Sequence, residues 1–300
     1  MIKKTENKLF ILSTLIIVGF ITYSIISYTK WYNGYIKSIN ETITDCENNT
    51  IQEREEYCKE LLSDIPDVKP DFYYTAGMII NENNRIIFVA FLIVTVPSLY
   101  YVCKVFKTRN IMYQLTRENY KEFKKKTFKK AYRSAIILPL SFLIVIIFSV
   151  IFCKGFTVND YFFQDYFLEA ERAHIISPYI YTFAILMKAF IISIIYINLS
   201  LMVARKNHKL YMSIILSYLL FIGVELFLEA FIGKIIFLNI FKIDSMILYF
   251  NIINVFAINI INGYLYTFIP LIIILIITTF IVIKLYKNKE SLLIDCDKNN

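Results

Sequence analysis

The chain has 300 residues, 57% of them hydrophobic and 17% aromatic, and its 32 Lys and Arg against 24 Asp and Glu give a net charge of +8. At a mean hydropathy of +0.56, it holds more apolar surface than a soluble domain of this length can hide, which excludes the soluble enzyme classes. The expected fold class is all-α, a polytopic membrane protein with six transmembrane helices and an outer re-entrant or interfacial helical hairpin before the last.

Apolar segments long enough to cross a hydrocarbon core, which takes roughly 20 helical residues, fall at 9–28, 86–105, 135–153, 179–204, 210–232 and 265–285. The first has no small-residue cleavage site and exceeds the length of a signal-peptide core, so it reads as a retained span. Between it and the second lies an extracellular loop, 29–85, acidic at its centre and helical around Gln52–Leu62, with Pro66 and Pro70 as breakers before the return to the membrane. Cys46 and Cys58 both fall in this loop. A disulfide between them and two free thiols are both compatible with the sequence.

The segment 104–133 carries eleven basic residues against Glu118 and Glu122. A basic stretch between two spans is held on the cytoplasmic side, which places both termini in the cytoplasm. In that topology the cytoplasmic segments hold 21 of the 32 Lys and Arg and only six of the 24 acids. The net positive charge therefore reads as topology and contact with anionic lipid, with no role in binding nucleic acid. Within the block, Asn119 reads as a helix N-cap with Glu122 three residues on, and Tyr120, Phe123, Thr127 and Ala131 recur at helical spacing into the third span.

Three charges fall inside the later spans, Lys188, Glu225 and Glu229. Ionisable groups at this depth are costly and are usually paired or functional. Counted from the span ends, Lys188 and Glu225 lie at similar depth, so a structural ion pair is expected, with Glu229 reaching the headgroups; the competing reading is a polar patch lining a translocation route. The segment 234–264 is apolar but turns at Asn262–Gly263, and charge asymmetry favours a re-entrant element over a seventh span at 246–261.

Catalytic patterns are sparse. The two histidines, His174 in an outer loop and His208 in a basic inner loop where it is expected to be solvated, build no HExxH zinc site, and the seven glycines build no phosphate loop of the GxxxxGK[ST] type. No catalytic, cofactor-binding or metal-binding set is expected on this chain. Nucleotide-driven work would have to come from another polypeptide.

Six spans with both ends inside, the basic segment Lys107–Phe123 with its Thr116-Arg117-Glu118-Asn119-Tyr120 centre, the apolar outer element before the last span and the charged tail Lys287-Asn288-Lys289-Glu290 together resemble the permease subunits of type-2 ABC transporters. The resemblance implies a single transmembrane domain over 1–300 that pairs with itself or with a sister permease. It further implies that the helix after the second span docks on a separate ATPase, which carries ATP and Mg. Carried over, the coupling residues would be Arg109, Tyr113, Arg117, Glu118 and Tyr120. The implied activity is ATP-driven transport, as an exporter of peptides, lipids or other amphiphiles. The outer loop between spans one and two is longer than in compact exporters and departs from the family. Abundant Ile, Lys and Asn point to an AT-rich bacterial genome and a plasma-membrane location. An alternative is a non-transporting membrane sensor or assembly protein that presents the acidic outer loop to a partner. An intramembrane enzyme fits less well, because Glu225-x-x-x-Glu229 lacks the adjacent glutamates and histidines of a prenyl-protease site.

Overall fold

The computed structural model describes residues 2–47, 70–84, 87–157, 177–242, 255–258, 260 and 264–298. Every element among them is helical: α1 (Ile2–Glu47), α2 (Phe72–Asn84), α3 (Ile87–Phe106), α4 (Thr108–Leu115), α5 (Tyr120–Ala131), a 3₁₀ turn (Tyr132–Ile136), α6 (Ile137–Phe152), α7 (Pro178–Ala204), α8 (Leu210–Leu226), a π-helical segment (Phe227–Ile240), α9 (Tyr264–Leu285) and α10 (Lys289–Lys298). Among the described residues, six stretches are long and apolar enough to cross a membrane. The protein is an all-α polytopic membrane protein.

α1 does not give way to a loop at Thr29. It continues to Glu47, and its 46 residues span about 69 Å at ~1.5 Å per residue. An aromatic stripe at helical spacing accounts for the first part of the extension. Tyr32 meets Phe152 edge to face at 5.3 Å, Trp31 stacks on Tyr35 at 5.5 Å and also contacts Tyr74 at 5.9 Å. Further along, Lys37 and Glu41 pair one turn apart at 3.6 Å, an exposed contact of small energetic weight. The expected helix around 52–62, Cys58, His174 and the Asn262–Gly263 turn lie outside the described residues.

The end of the expected loop is a second departure, because Phe72–Asn84 is a helix with Phe72, Ala76, Ile79 and Ile80 fully buried. Asp71 starts it, its carboxylate accepting the Tyr74 N–H at 2.7 Å. The start is clasped to the far end of α6: Phe72 N–H donates to the Thr157 carbonyl at 3.0 Å, and the Thr157 hydroxyl to the Pro70 carbonyl at 3.0 Å. Between helices in lipid, close packing and hydrogen bonds do the work that water expulsion does elsewhere. Here Tyr28 and Thr75 share a hydroxyl hydrogen bond at 2.8 Å, Cys153 donates to the same Thr75 oxygen at 3.4 Å, and Ser24 donates to Asn83 Oδ1 at 3.2 Å.

α7 occupies the centre of the bundle. It is apolar around its circumference and packs against α3, α6, α8 and α9, as expected of a helix without a polar face. α9 instead leaves Ile269, Ile273, Ile276 and Phe280 exposed, an outward face suited to lipid.

The fifth span passes Ile232 and Lys234 without a break. From Phe227 to Ile240 it is π-helical, and Phe241 N–H closes the segment on the Ile236 carbonyl at 3.1 Å, five residues back. Beyond it, Val255, Phe256, Ala257 and Ile258 are buried and largely irregular. Non-helical backbone at membrane depth persists only where protein covers it. The cover is an aromatic cluster: Phe91 stacks on Phe221 at 4.8 Å, Tyr196 meets Phe221 at 5.0 Å and Phe91 at 5.1 Å, and Phe256 meets Phe221 at 5.4 Å.

Candidate functional site

Lys104, Arg205 and Lys284 lie where α3, α7 and α9 finish and Arg133 lies in the 3₁₀ turn that leads into α6, and they mark one end of the bundle as basic. The short helix α4 sits at this end, rooted by Ile111, which is fully buried, while Met112 and Tyr113 are 51% and 56% exposed. Its last turn closes as the N–H groups of Arg117 and Glu118 both bond the Gln114 carbonyl at 3.1 and 3.0 Å. Asn119 then caps α5, its side chain accepting from Lys121 N–H at 3.4 Å, as the sequence grammar expects. α5 buries Phe123, Thr127 and Ala131 at one-turn spacing and faces solvent with its lysines. The stretch Lys107–Phe123 is therefore two helices joined by a turn.

The five coupling candidates divide by what they touch. The Arg117 guanidinium stacks on the Tyr113 ring at 3.9 Å, which presents a cation and an aromatic as one rigid outward unit. Glu118 accepts a hydrogen bond from Lys126 at 2.7 Å, and this contact raises the Lys126 ammonium above its ordinary value. Tyr120 turns inward, donating its hydroxyl to the Tyr286 carbonyl at 2.9 Å. Its role is to tie α5 to the end of α9, and the outward surface belongs to Met112, Tyr113 and Arg117. Arg109 is in α4.

Beneath this surface is a cluster that sequence reading does not identify. Tyr286 is nearly fully buried, donates its hydroxyl to the Leu201 carbonyl at 2.9 Å, and meets the rings of Phe106 at 5.7 Å and Phe128 at 5.2 Å. Arg205 is 2% exposed and spans from α7 to the tail, with Nε bonding the Leu285 carbonyl at 3.1 Å and Nη1 the Leu292 carbonyl at 3.5 Å. His208 is not solvated: it is 7% exposed and lies against the Phe106 ring at 5.7 Å. Closure of the 204–209 connection onto α3 removes it from water.

Farther into the bundle, Lys188 and Glu225 are 0% and 1% exposed, but the expected ion pair between them is absent. Neither carboxylate oxygen of Glu225 has a hydrogen-bond partner. Between α7 and α8 the space is filled by the Tyr196 and Phe221 rings, 5.0 Å apart. Glu229 pairs with Lys234 at 3.6 Å, five residues on, in step with the π register. Cys46 is disulfide-bonded, whereas Cys103 and Cys153 are buried free thiols.

Sequence reading also passes over Ser98, Ser213 and Ser217, which the structure buries. The signal was available as spacing, because Ser213, Ser217, Phe221 and Glu225 recur every fourth residue and are the residues that α8 buries. No group of three or more His, Cys, Asp or Glu able to hold a metal forms among the described residues. Comparison of the chain with protein-family models, curated proteins and solved structures finds no match.

Proposed function

We propose that this chain is the membrane permease subunit of an ATP-driven transporter of the ABC type, working with a separate ATPase chain that binds ATP and Mg. On this reading the basic end faces the cytoplasm, and two bundles, a homodimer or a pair of sister permeases, enclose a path for a peptide, a lipid or another amphiphile. The observation that carries the proposal is the α4 surface. A short helix and turn at the basic end present Met112, Tyr113 and Arg117 outward, while Ile111 and the Tyr120–Tyr286 bond root the same segment in the bundle. A push on that surface would reach α7 and α9 through Tyr286 and Arg205.

The test is co-purification from native membranes with a protein that mass spectrometry identifies as bearing a Walker A motif. Met112→Asp and Arg117→Glu, each with wild-type helicity, should abolish recovery of that ATPase. Unchanged recovery of an active complex from both variants would overturn the docking assignment. A protein without any such ATPase partner would favour the second reading, a sensor or assembly factor. One observation supports that alternative: α1 runs about 28 Å beyond Tyr28 as helix and carries Cys46 on a stiff stalk.

A further inference from the structure

α8 is polar on the inside. It turns Leu219, Ile215, Tyr211 and Leu226 outward and buries Ser213, Ser217, Phe221 and Glu225. Serines inside helices ordinarily satisfy themselves on their own backbone, as Ser141, Ser149 and Ser193 do with carbonyls four residues back. Ser217 and, on α3, Ser98 do not: both hydroxyls are buried without a hydrogen-bond partner. The Cys103–Ser213 hydrogen bond at 3.6 Å and the Phe91–Phe221 stack at 4.8 Å fix α3 against α8 at two levels. Ser98 and Ser217 lie between those levels. At the basic end Ser213 donates to the Asn207 carbonyl at 2.6 Å, beside buried His208. One turn beyond Phe221 is Glu225, with both oxygens unpartnered.

We propose that this polar seam is a proton-access route from the basic end and that Glu225 is the protonation site at its head. Ser98 and Ser217 hold no hydrogen bond in the closed seam, so a proton passes when water enters from the basic end and bridges the hydroxyls of Ser213, Ser98 and Ser217, each of which can donate and accept. A carboxylate buried without a counter-charge is costly, and the proton is the one cation that can neutralise it where no hydrated ion fits. The step is reversible: the Glu225 carboxylate gains one proton taken from water at the basic end and returns it by the same path, with no other bond changed. Phe221, gripped by Phe91, Tyr196 and Phe256, is the plug between Ser217 and Glu225. The charged or titratable groups around the site are Tyr196 and Lys188 on α7, and Glu229, held by Lys234, in the π segment. α3 presents Phe88 and Phe91 to this level, and the 255–258 segment is apolar. The proposal does not depend on an ATPase partner.

Infrared difference spectroscopy on the full chain in proteoliposomes tests it. The expected result is a carbonyl band of a buried carboxylic acid that responds to pH and is lost in Glu225→Gln. After a pH jump on the side of the basic end, the response should slow about tenfold in Ser217→Val, as a barrier raised by the loss of one relay hydroxyl would give, and quicken in Phe221→Ala. Should Glu225→Gln fail to fold, peptide mapping of wild-type protein treated with dicyclohexylcarbodiimide should find the adduct on Glu225. A band that survives Glu225→Gln, no such band at any pH where the protein is folded, or an adduct only elsewhere would overturn the site. Unchanged rates in both Ser217→Val and Phe221→Ala would overturn the route.

Discussion

Asn198 joins three parts of the bundle that are far apart in sequence. Fully buried in α7, it accepts a hydrogen bond from the Tyr132 hydroxyl and donates through Nδ2 to Thr278 at 3.1 Å and Thr279 at 3.0 Å on α9. Leucine keeps the branched four-heavy-atom outline of asparagine, so Asn198→Leu removes these bonds without opening a cavity. Interhelical hydrogen bonds in membranes average about 0.6 kcal/mol and reach about 1.7, so losing all three should cost about 2 kcal/mol. Thr278 keeps a partner in the Leu275 carbonyl, whereas Tyr132 loses its acceptor and adds the cost of an orphaned hydroxyl. Unfolding by sodium dodecyl sulfate in mixed micelles, followed by helicity and by the fluorescence of the single tryptophan, Trp31, gives the difference directly. Tyr132→Phe alone should cost about 1 kcal/mol or less, and the double variant should cost no more than Asn198→Leu, because the second change removes a bond already lost and the orphaned hydroxyl with it. If Asn198→Leu stays within about 0.5 kcal/mol of wild type, or if the two changes add in full, the three-way junction does not stabilise the bundle as described.

Other predictions follow from single contacts. α6 ends in a Schellman turn, with Gly155 N–H bonding the Val150 carbonyl at 2.8 Å and Lys154 held at φ 57°; Lys154→Gly should raise stability by about 1 kcal/mol in the same unfolding assay, and a loss of stability would refute that backbone assignment. Thr75→Val removes the oxygen that meets both Tyr28 and Cys153, so it should destabilise the bundle by about 1 kcal/mol and speed thiol labelling of Cys153 in detergent; unchanged labelling would argue that Thr75 is not the cover. The Glu229–Lys234 pair spans five residues, as a π register requires; deleting one residue between them should weaken their coupling in a double-mutant cycle if that register holds the pair, and an undiminished coupling would count against it.

The spans themselves were legible because hydropathy and length decide them, and the start of α5 because Asn119 is a local cap. The rest is held by contacts distant in sequence. Tyr120 and Tyr286 are 166 residues apart, and nothing around either residue announces the other. Arg205 reads locally as one more cytoplasmic anchor, yet it is 2% exposed and bonds two backbone carbonyls of the tail region. The α1 extension and α2 are illegible in the sequence for a related reason. A polar, aromatic stretch beyond an apolar span scores as loop, although its tyrosines and Trp31 find partners on α2 and α6 once the bundle forms.

The two intramembrane charges show where counting along a helix stops being informative. Depth counted from span ends assumes that neighbouring helices end in one plane and says nothing of rotation, and for α7 and α8 the pair it suggests does not form. Rotation and axial offset are set by the large side chains that must interlock, here Tyr196 against Phe221, because a ring cannot be shifted by a turn without emptying the space it fills. Once that contact is fixed, the surroundings of Glu225 are fixed as well, and a carboxyl that depth counting would pair with Lys188 is left buried without a hydrogen-bond partner. The aromatic packing therefore determines the electrostatics of this site. Phe221→Leu, which loosens the interlock while keeping the span apolar, is the change most apt to let Glu225 and Lys188 meet. If a Lys188–Glu225 coupling energy, undetectable in wild type, emerges in the Phe221→Leu background by double-mutant cycle, ring packing is what keeps them apart; if it stays at zero, the helix offset is held by contacts elsewhere along α7.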